Sequence, residues 1–319
     1  MATWTSMPSL MQTGDEIEIV ESPHLDTSPW LEEIWLLGKL SSLIQNEYGD
    51  IYDCVDFYKQ PAFDHPLLAN HSFHPEVQMK PSTLPFEEES KISQAREVLT
   101  NMKSRGEGCP TGTIPIKRVS KDDFIKIKRF TEDYNSRIKS NSLENHFAVV
   151  QTPNPNPKYY YGAKVILSVH NFNVSASQYS SAGMTLTNGD DTIKFGWTDP
   201  KDGNWWLTLG EENTLQRFWP GTIFNGLSML ATTVAFGGEA YGPVDQPLPP
   251  MGNGYFGVAD PKYAAYCRAI AVLDENLKED NDPHEIETYR DDSHYVVTDY
   301  GWTNRFGRIM FYGGTTPQI

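Results

Sequence analysis

The sequence predicts a mainly β chain, and three observations carry the prediction. Turn formers are abundant, with 24 Gly and 22 Pro, and so are strand-favouring aromatics, with 16 Tyr and 8 Trp. The run YYYGAKVILSVH sets Ala163, Val165, Leu167 and Val169 against Lys164, Ile166, Ser168 and His170, the period-two pattern of a strand with one buried face. The 319 residues carry 39% apolar and 12% aromatic side chains. That is enough for a core and too apolar for a disordered chain, and the apolar runs are too short to span a bilayer.

Charge excludes two classes of partner. The net charge is −16 and the isoelectric point about 4.9. An acidic chain gains nothing from counterion release on nucleic acid and is repelled by anionic membranes. Neither partner is expected.

Taken in order, the amino terminus MATWTSMPSLMQTGDEIEIVES lacks the basic and apolar regions of a signal peptide. The run Trp30–Gln45 reads as an amphipathic helix, with Ser28 near its cap and Pro29 at its first turn. Further helices are expected at Glu88–Ser104 and Lys121–Arg129. The character changes near residue 140, before the Pro-Asn linker TPNPNPK. Strands are then expected at Tyr160–His170, Gly183–Thr187, Thr192–Trp197, Asn204–Leu209, Thr232–Tyr241 and Arg308–Gly313. Helices are expected at Gly221–Leu230 and Pro261–Leu273. Asp274–Asp292 holds nine acids against two bases and reads as an exposed, mobile loop.

Several motifs lead nowhere. Gly252, Gly254 and Gly257 have dinucleotide-fingerprint spacing, but the Pro-rich QPLPP before them cannot be the strand that fingerprint needs, so they read as a glycine turn and no cofactor is expected. His65, His71 and His74 with Asp64 could supply four zinc ligands, yet Pro66 and Pro75 mark an irregular loop, and no metal is expected. Asn70 and Asn173 begin glycosylation sequons. Cys109 is either structural or unpaired. Trp197, Trp205, Trp206 and Trp219 either line a groove or fill a core. Glu239, in VAFGGEAYG, is the only ionised side chain between Arg217 and Asp245. An isolated acid beside a glycine pair is a general-base candidate, or else a solvated strand end.

The segments YYYGAKVILSV, TIKFGW, DPKDGNWWLTLG, FWPGTIF, ATTVAFGGEAYGP and MGNGYF occur in one order. With EYGDIYDCVDFYKQPAFDHPLLANH and GCPTGTIPIKR ahead of them, the chain resembles the neprosin family of plant glutamic peptidases from about Ser42 to Tyr312. The resemblance implies an antiparallel β-sandwich over 141–319. It is preceded by a mixed, partly helical activation-peptide-like region over 29–140, and residues 1–28 read as a leader that does not conform to the family. It also implies a secreted proenzyme that cleaves peptide or protein substrates near proline at acid pH. Two facing glutamates would activate water there, one as base and one polarising the carbonyl.

Glu239 matches one of these glutamates. Lys194 occupies the position of the other, in Ile193-Lys194-Phe195-Gly196-Trp197 where the family has I-E-A-G-W. Trp197, Trp205, Trp206 and Tyr241 become candidates for the substrate groove. The chain also departs from the family where Trp197-Thr198 runs straight into Asp199, since the family has several tens of residues there. It lacks the family's carboxy-terminal cysteine after Gly314, which leaves Cys267 as a free thiol. Lysine is donor-only and cannot share a proton as a carboxyl does. Ion pairing with Glu239 would remove the acid role, so hydrolysis is expected to be weakened or lost. The alternative is a non-catalytic binding or regulatory relative.

Overall fold

A computed structural model describes residues 8–11, 18–21, 43–45, 51–60, 63, 66–68, 70, 72, 81–82, 85, 109–110, 112–118, 143–153, 158–168, 170, 174–175, 178–209, 214–255 and 259–315. The described part is mainly β and its strand pairs are antiparallel. Helical structure among the described residues is confined to short 3-10 turns, such as Phe57–Lys59, Pro66–Leu68 and Gly221–Ile223. No helix there is long and apolar enough to cross a membrane.

Five strands precede the sandwich. They are β1 (Pro8–Met11), β2 (Glu18–Glu21), β3 (Leu43–Gln45), β4 (Ile51–Asp56) and β5 (Thr113–Lys117). β1 pairs with β2, and β3, β4 and β5 form a three-stranded sheet. A disulfide joins Cys54 on β4 to Cys109, just before β5. Arg118 donates to both carboxylate oxygens of Asp53 on the same sheet.

The remaining strands are β6 (Leu143–Gln151), β7 (Tyr160–Leu167), β8 (Tyr179–Asn188), β9 (Asp191–Lys194), β10 (Trp197–Thr198), β11 (Trp205–Leu209) and β12 (Thr214–Trp219). After them come β13 (Thr233–Pro243), β14 (Ala265–Asp274), β15 (Glu279–Asp280), β16 (Glu287–Arg290), β17 (Tyr295–Thr303) and β18 (Gly307–Gly314). One sheet runs β16-β6-β13-β8-β9; the other runs β12-β11-β10-β7-β14-β18-β17, with β15 on β14. They stack face to face because each is apolar on one side. Val150, Leu186, Val234 and Phe236 from the first meet Cys267, Ile270, Met310 and Tyr312 from the second in one buried core.

Several expectations are corrected. Pro261–Leu273 is not a helix: after a turn, Ala265–Asp274 forms β14. Its small residues hide the strand period, which a bulge between Arg268 and Ala271 also breaks. Gly221–Leu230 holds only one 3-10 turn, because Gly221 and Gly226 lie against the backbone carbonyls of Gly203 and Asn188. Within Trp30–Gln45, residues 43–45 are strand rather than helix, paired to β4; residues 30–42 lie outside the described residues, as do Glu88–Ser104, Lys121–Arg129, Asp64, His65, His71 and His74. The acidic run 274–292 is not one loop, since it contributes β15 and β16. Its acids are used there: Glu279 pairs with Lys164, and Asp282 with Arg308.

Thr192–Trp197 is not one strand either. The chain leaves the five-stranded sheet after Lys194 and joins the eight-stranded sheet at Trp197. Phe195 takes a φ of +67° at the crossing and Gly196 a φ of +142°. A Cβ on Gly196 would lie 2.8 Å from the Trp206 carbonyl, so a side chain does not fit. Although Trp197-Thr198 runs directly into Asp199, the sheet stays continuous there: Trp197 pairs with both Gly162 and Trp206. Gly252 and Gly254 lie in a turn closed by a hydrogen bond from Gly254 N–H to the Met251 carbonyl.

Candidate active site

β13 decides what the site contains. Val234, Phe236 and Ala240 face the core, so Ala235, Gly237, Glu239 and Tyr241 face outward by the strand period. Register then sets their neighbours. Glu239 lies opposite Ser181 on β8 and Phe147 on β6, Tyr241 opposite Tyr179, and Gly237 opposite Gly183. Lys194, at the end of β9, lies opposite Thr185 and therefore on the same outer face.

The two candidate residues meet on that face. Lys194 Nζ donates to Glu239 Oε2 at 2.7 Å, with the side chains 18% and 21% exposed. Gly183 lies on β8 between their register positions, and the Phe195 ring packs against it, 3.6 Å from where a Cβ would stand. Nζ also lies 3.4 Å from the Tyr179 hydroxyl and 5.5 Å from the centre of its ring. Tyr179 is held in turn against Tyr241, with ring centroids 5.0 Å apart. Burial works against charge on Lys194, but the oxygens of Tyr179 and Glu239 outweigh it and hold the ammonium above the ordinary lysine range. The pair is thus a cation and a carboxylate in direct contact, largely withdrawn from solvent.

The other candidates separate. Tyr241 shares the Glu239 face. Trp205 is in the core, where its Nε1–H donates to the Leu227 carbonyl. Trp197 and Trp206 pair with each other on the opposite side of the other sheet from Trp205, and Trp206 stacks on Phe218 with centroids 4.8 Å apart. All three tryptophans are buried in the eight-stranded sheet, on faces that Glu239 does not share. Asp191 is also turned away, capping a loop by accepting from the backbone N–H of Asn225 and Leu227. Among the described residues no group of side chains is arranged to hold a metal ion.

Tyr179 and Ser181 do not stand out in the sequence. The strand expected at Gly183–Thr187 begins four residues late, since serines and a glycine mask the period at its start. The signal was the tyrosine two residues before Ser181, which continues the outward positions of β8.

The region before the sandwich touches it at more than one place: β1 lies against β8, and a second contact is made at Asp199. The Ser82 N–H and hydroxyl both donate to the Asp199 carboxylate, which also accepts from the Lys201 N–H in its own turn. Pro66–Leu68 lies against Gly221–Ile223 nearby.

Fold and site together define a two-sheet antiparallel β-sandwich whose five-stranded sheet carries, on its outer side, one carboxylate paired with one ammonium. The family model for the neprosin activation peptide matches residues 43–155, and the model for neprosin matches residues 174–315. The chain belongs to the neprosin family. The activation-peptide match runs past residue 140 and takes in β6, a strand of the sandwich itself.

Proposed function

We propose that this protein is a neprosin-like relative whose proline-directed endopeptidase activity at acid pH is weakened or lost. The observation that carries the reading is the 2.7 Å contact between Lys194 Nζ and Glu239 Oε2. Acid-pH hydrolysis by two carboxyl groups needs a proton to pass between them and the substrate. An ammonium accepts nothing and leaves only Glu239 for proton transfer. Loss of one such group costs about 10²–10⁴ in rate. The substrate class, an extended peptide or protein segment, follows from the family.

The test is hydrolysis of a proline-containing peptide by the purified full chain at pH 3–5. The expected rate is close to that without protein and is unchanged in Glu239→Gln. Rapid cleavage abolished by Glu239→Gln would overturn the proposal. Lys194→Glu alone is expected to restore only part of the activity, because the segment absent after Trp197 is not returned with it.

A further inference from the structure

One sequence motif outside the ion-pair face has no part in hydrolysis. Asn70-His71-Ser72 has the form of an N-glycosylation sequon, with no proline at its middle position. Short sequons arise by chance, so the surroundings of this one decide its weight. Asn70 and Ser72 are both exposed, and Asn70 stands in a turn. Just before it, the 3-10 turn Pro66–Leu68 buries Leu68 and leaves Leu67 60% exposed. Pro66–Leu68 lies against Gly221–Ile223 of the sandwich. The sequon is therefore tied down two residues away while its own side chains stand in solvent.

Two further observations point the same way. The Asn70 amide has no structural use among the described residues. Other asparagines spend theirs: Asn188 donates to the Gly226 and Leu230 carbonyls, and Asn204 accepts from the Gly221 N–H. A sugar on such an amide would displace its bonds; at Asn70 there are none to displace. The sequon also lies inside the loop that the Cys54–Cys109 disulfide closes. A disulfide of this kind forms and persists in the oxidising secretory compartments and is rare where thiols are kept reduced. A used sequon belongs to a surface loop of a secreted protein, so two independent features share one compartment. The other sequon lacks this support. Asn173 lies outside the described residues, and Ser175 gives its hydroxyl to Gln246 and its N–H to Gln178.

We propose that Asn70 is a modification site that carries an N-linked glycan. The donor is a lipid-pyrophosphate-linked oligosaccharide, and the catalyst is a transferase of the secretory pathway. Asn70 Nδ2 forms a bond to C1 of the first sugar. The C1–O bond to pyrophosphate breaks, and the lipid pyrophosphate leaves with the bonding pair. One Nδ2 proton passes to a base of the transferase. The attached glycan is bulky and solubilising. Leu67 lies three residues away, at most about 10 Å along the chain, so the glycan masks this exposed leucine.

The test begins with the full chain isolated from its natural source. Digestion with a peptide-N-glycosidase is expected to lower its mass and to leave Asp at position 70, read by peptide mass spectrometry. An Asn70 peptide that is unmodified before digestion overturns the proposal. The full chain produced through the secretory route of eukaryotic cells gives a second readout. There Asn70→Gln and Ser72→Ala each lose one glycan, whereas Asn173→Gln keeps the one on Asn70. Ser72→Ala retains the asparagine itself, so loss of the glycan in that variant is loss of the sequon and not of the side chain. Equal glycan mass in the native chain and in both variants overturns the proposal. The two variants are also expected to aggregate more readily than the native chain at equal concentration, and equal solubility overturns the masking of Leu67. None of these outcomes depends on the activity of the Lys194–Glu239 pair.

Discussion

The two sheets of the sandwich bury similar inner faces and differ in what they carry outside. The outer face of the five-stranded sheet mixes small and polar residues, Ser181, Gly183, Thr185, Gly237 and Glu239, with the rings of Phe147, Tyr179 and Tyr241, and it carries the charge of Lys194. The outer face of the eight-stranded sheet carries Trp197, Trp206, Ile309 and Phe311, all buried. Both have the same strand alternation, so alternation says which side chains share a face but not what that face is for. A charged pair survives mostly buried on the first because each charge meets the other directly, at 2.7 Å, among the aromatic rings around it. On the second, an unpaired charge would bear its full desolvation cost.

Four measurements press on this contrast, the largest effect first. Phe236→Ala removes a fully buried ring from the inner face that both sheets share. It is expected to cost about 3–5 kcal/mol in denaturant unfolding, whereas a change on the open outer face costs less. Opening the Cys54–Cys109 disulfide releases a sequence separation of 55 residues. A loss of about 2–4 kcal/mol is expected, read as faster amide exchange in β4 and β5 with β13 unchanged. Equal loosening of β13 would show that the β3-β4-β5 sheet and the sandwich unfold together. The same experiment checks Cys267, whose thiol is buried and pushed well above the ordinary thiol range. It should resist alkylation in the native protein and react only on unfolding.

Lys194→Met leaves the Glu239 carboxylate without its partner. The cost expected is about 1–3 kcal/mol, and the double change Lys194→Met with Glu239→Gln should cost less than the sum of the singles. The pH sense is fixed by the raised value of Lys194. Its stabilisation is fully present below the ordinary lysine value and is lost only as pH rises through the higher folded value. Unfolding measured between pH 6 and 9 should therefore show no loss attributable to this pair. Asp292 makes the smallest change. The His294 backbone N–H holds its carboxyl below the usual carboxylate range. Its contribution is present above the ordinary value and is lost as pH falls through the lower folded one. Because the group is part-exposed and its charge is screened by solvent, Asp292→Asn is expected to change stability by no more than about 0.5 kcal/mol.

Much of this was legible in the sequence, residue by residue. The period-two run at β7 kept its register, with Ala163, Val165 and Leu167 on the core side. Glu239 stood out as an isolated acid in an apolar, glycine-rich strand, and family resemblance put Lys194 opposite it. What failed, failed for local reasons. The alanines of β14 read as helix because small residues serve either period, and only pairing with β7 and β18 selects the strand. The acidic run read as a loop because its cations come from elsewhere in the chain, at Lys164 on β7 and Arg308 on β18. The tryptophans read as either groove or core because burial is not written in residue type, and the family resemblance alone made groove candidates of three of them. Trp197 passes to the other sheet only because the backbone turns through positive φ at Phe195 and Gly196.

By itself the sequence determined the mainly β class, the family, and the replacement of one of two expected acids by a lysine. Those are properties of composition, short-range periodicity and motif order, which need no long-range contact to read. Tertiary structure alone decided that Lys194 touches Glu239, that Tyr179 and Tyr241 brace the pair, and that three tryptophans serve the other sheet. These depend on register between strands far apart in the chain, and a slip of one residue would have turned each side chain to the opposite face.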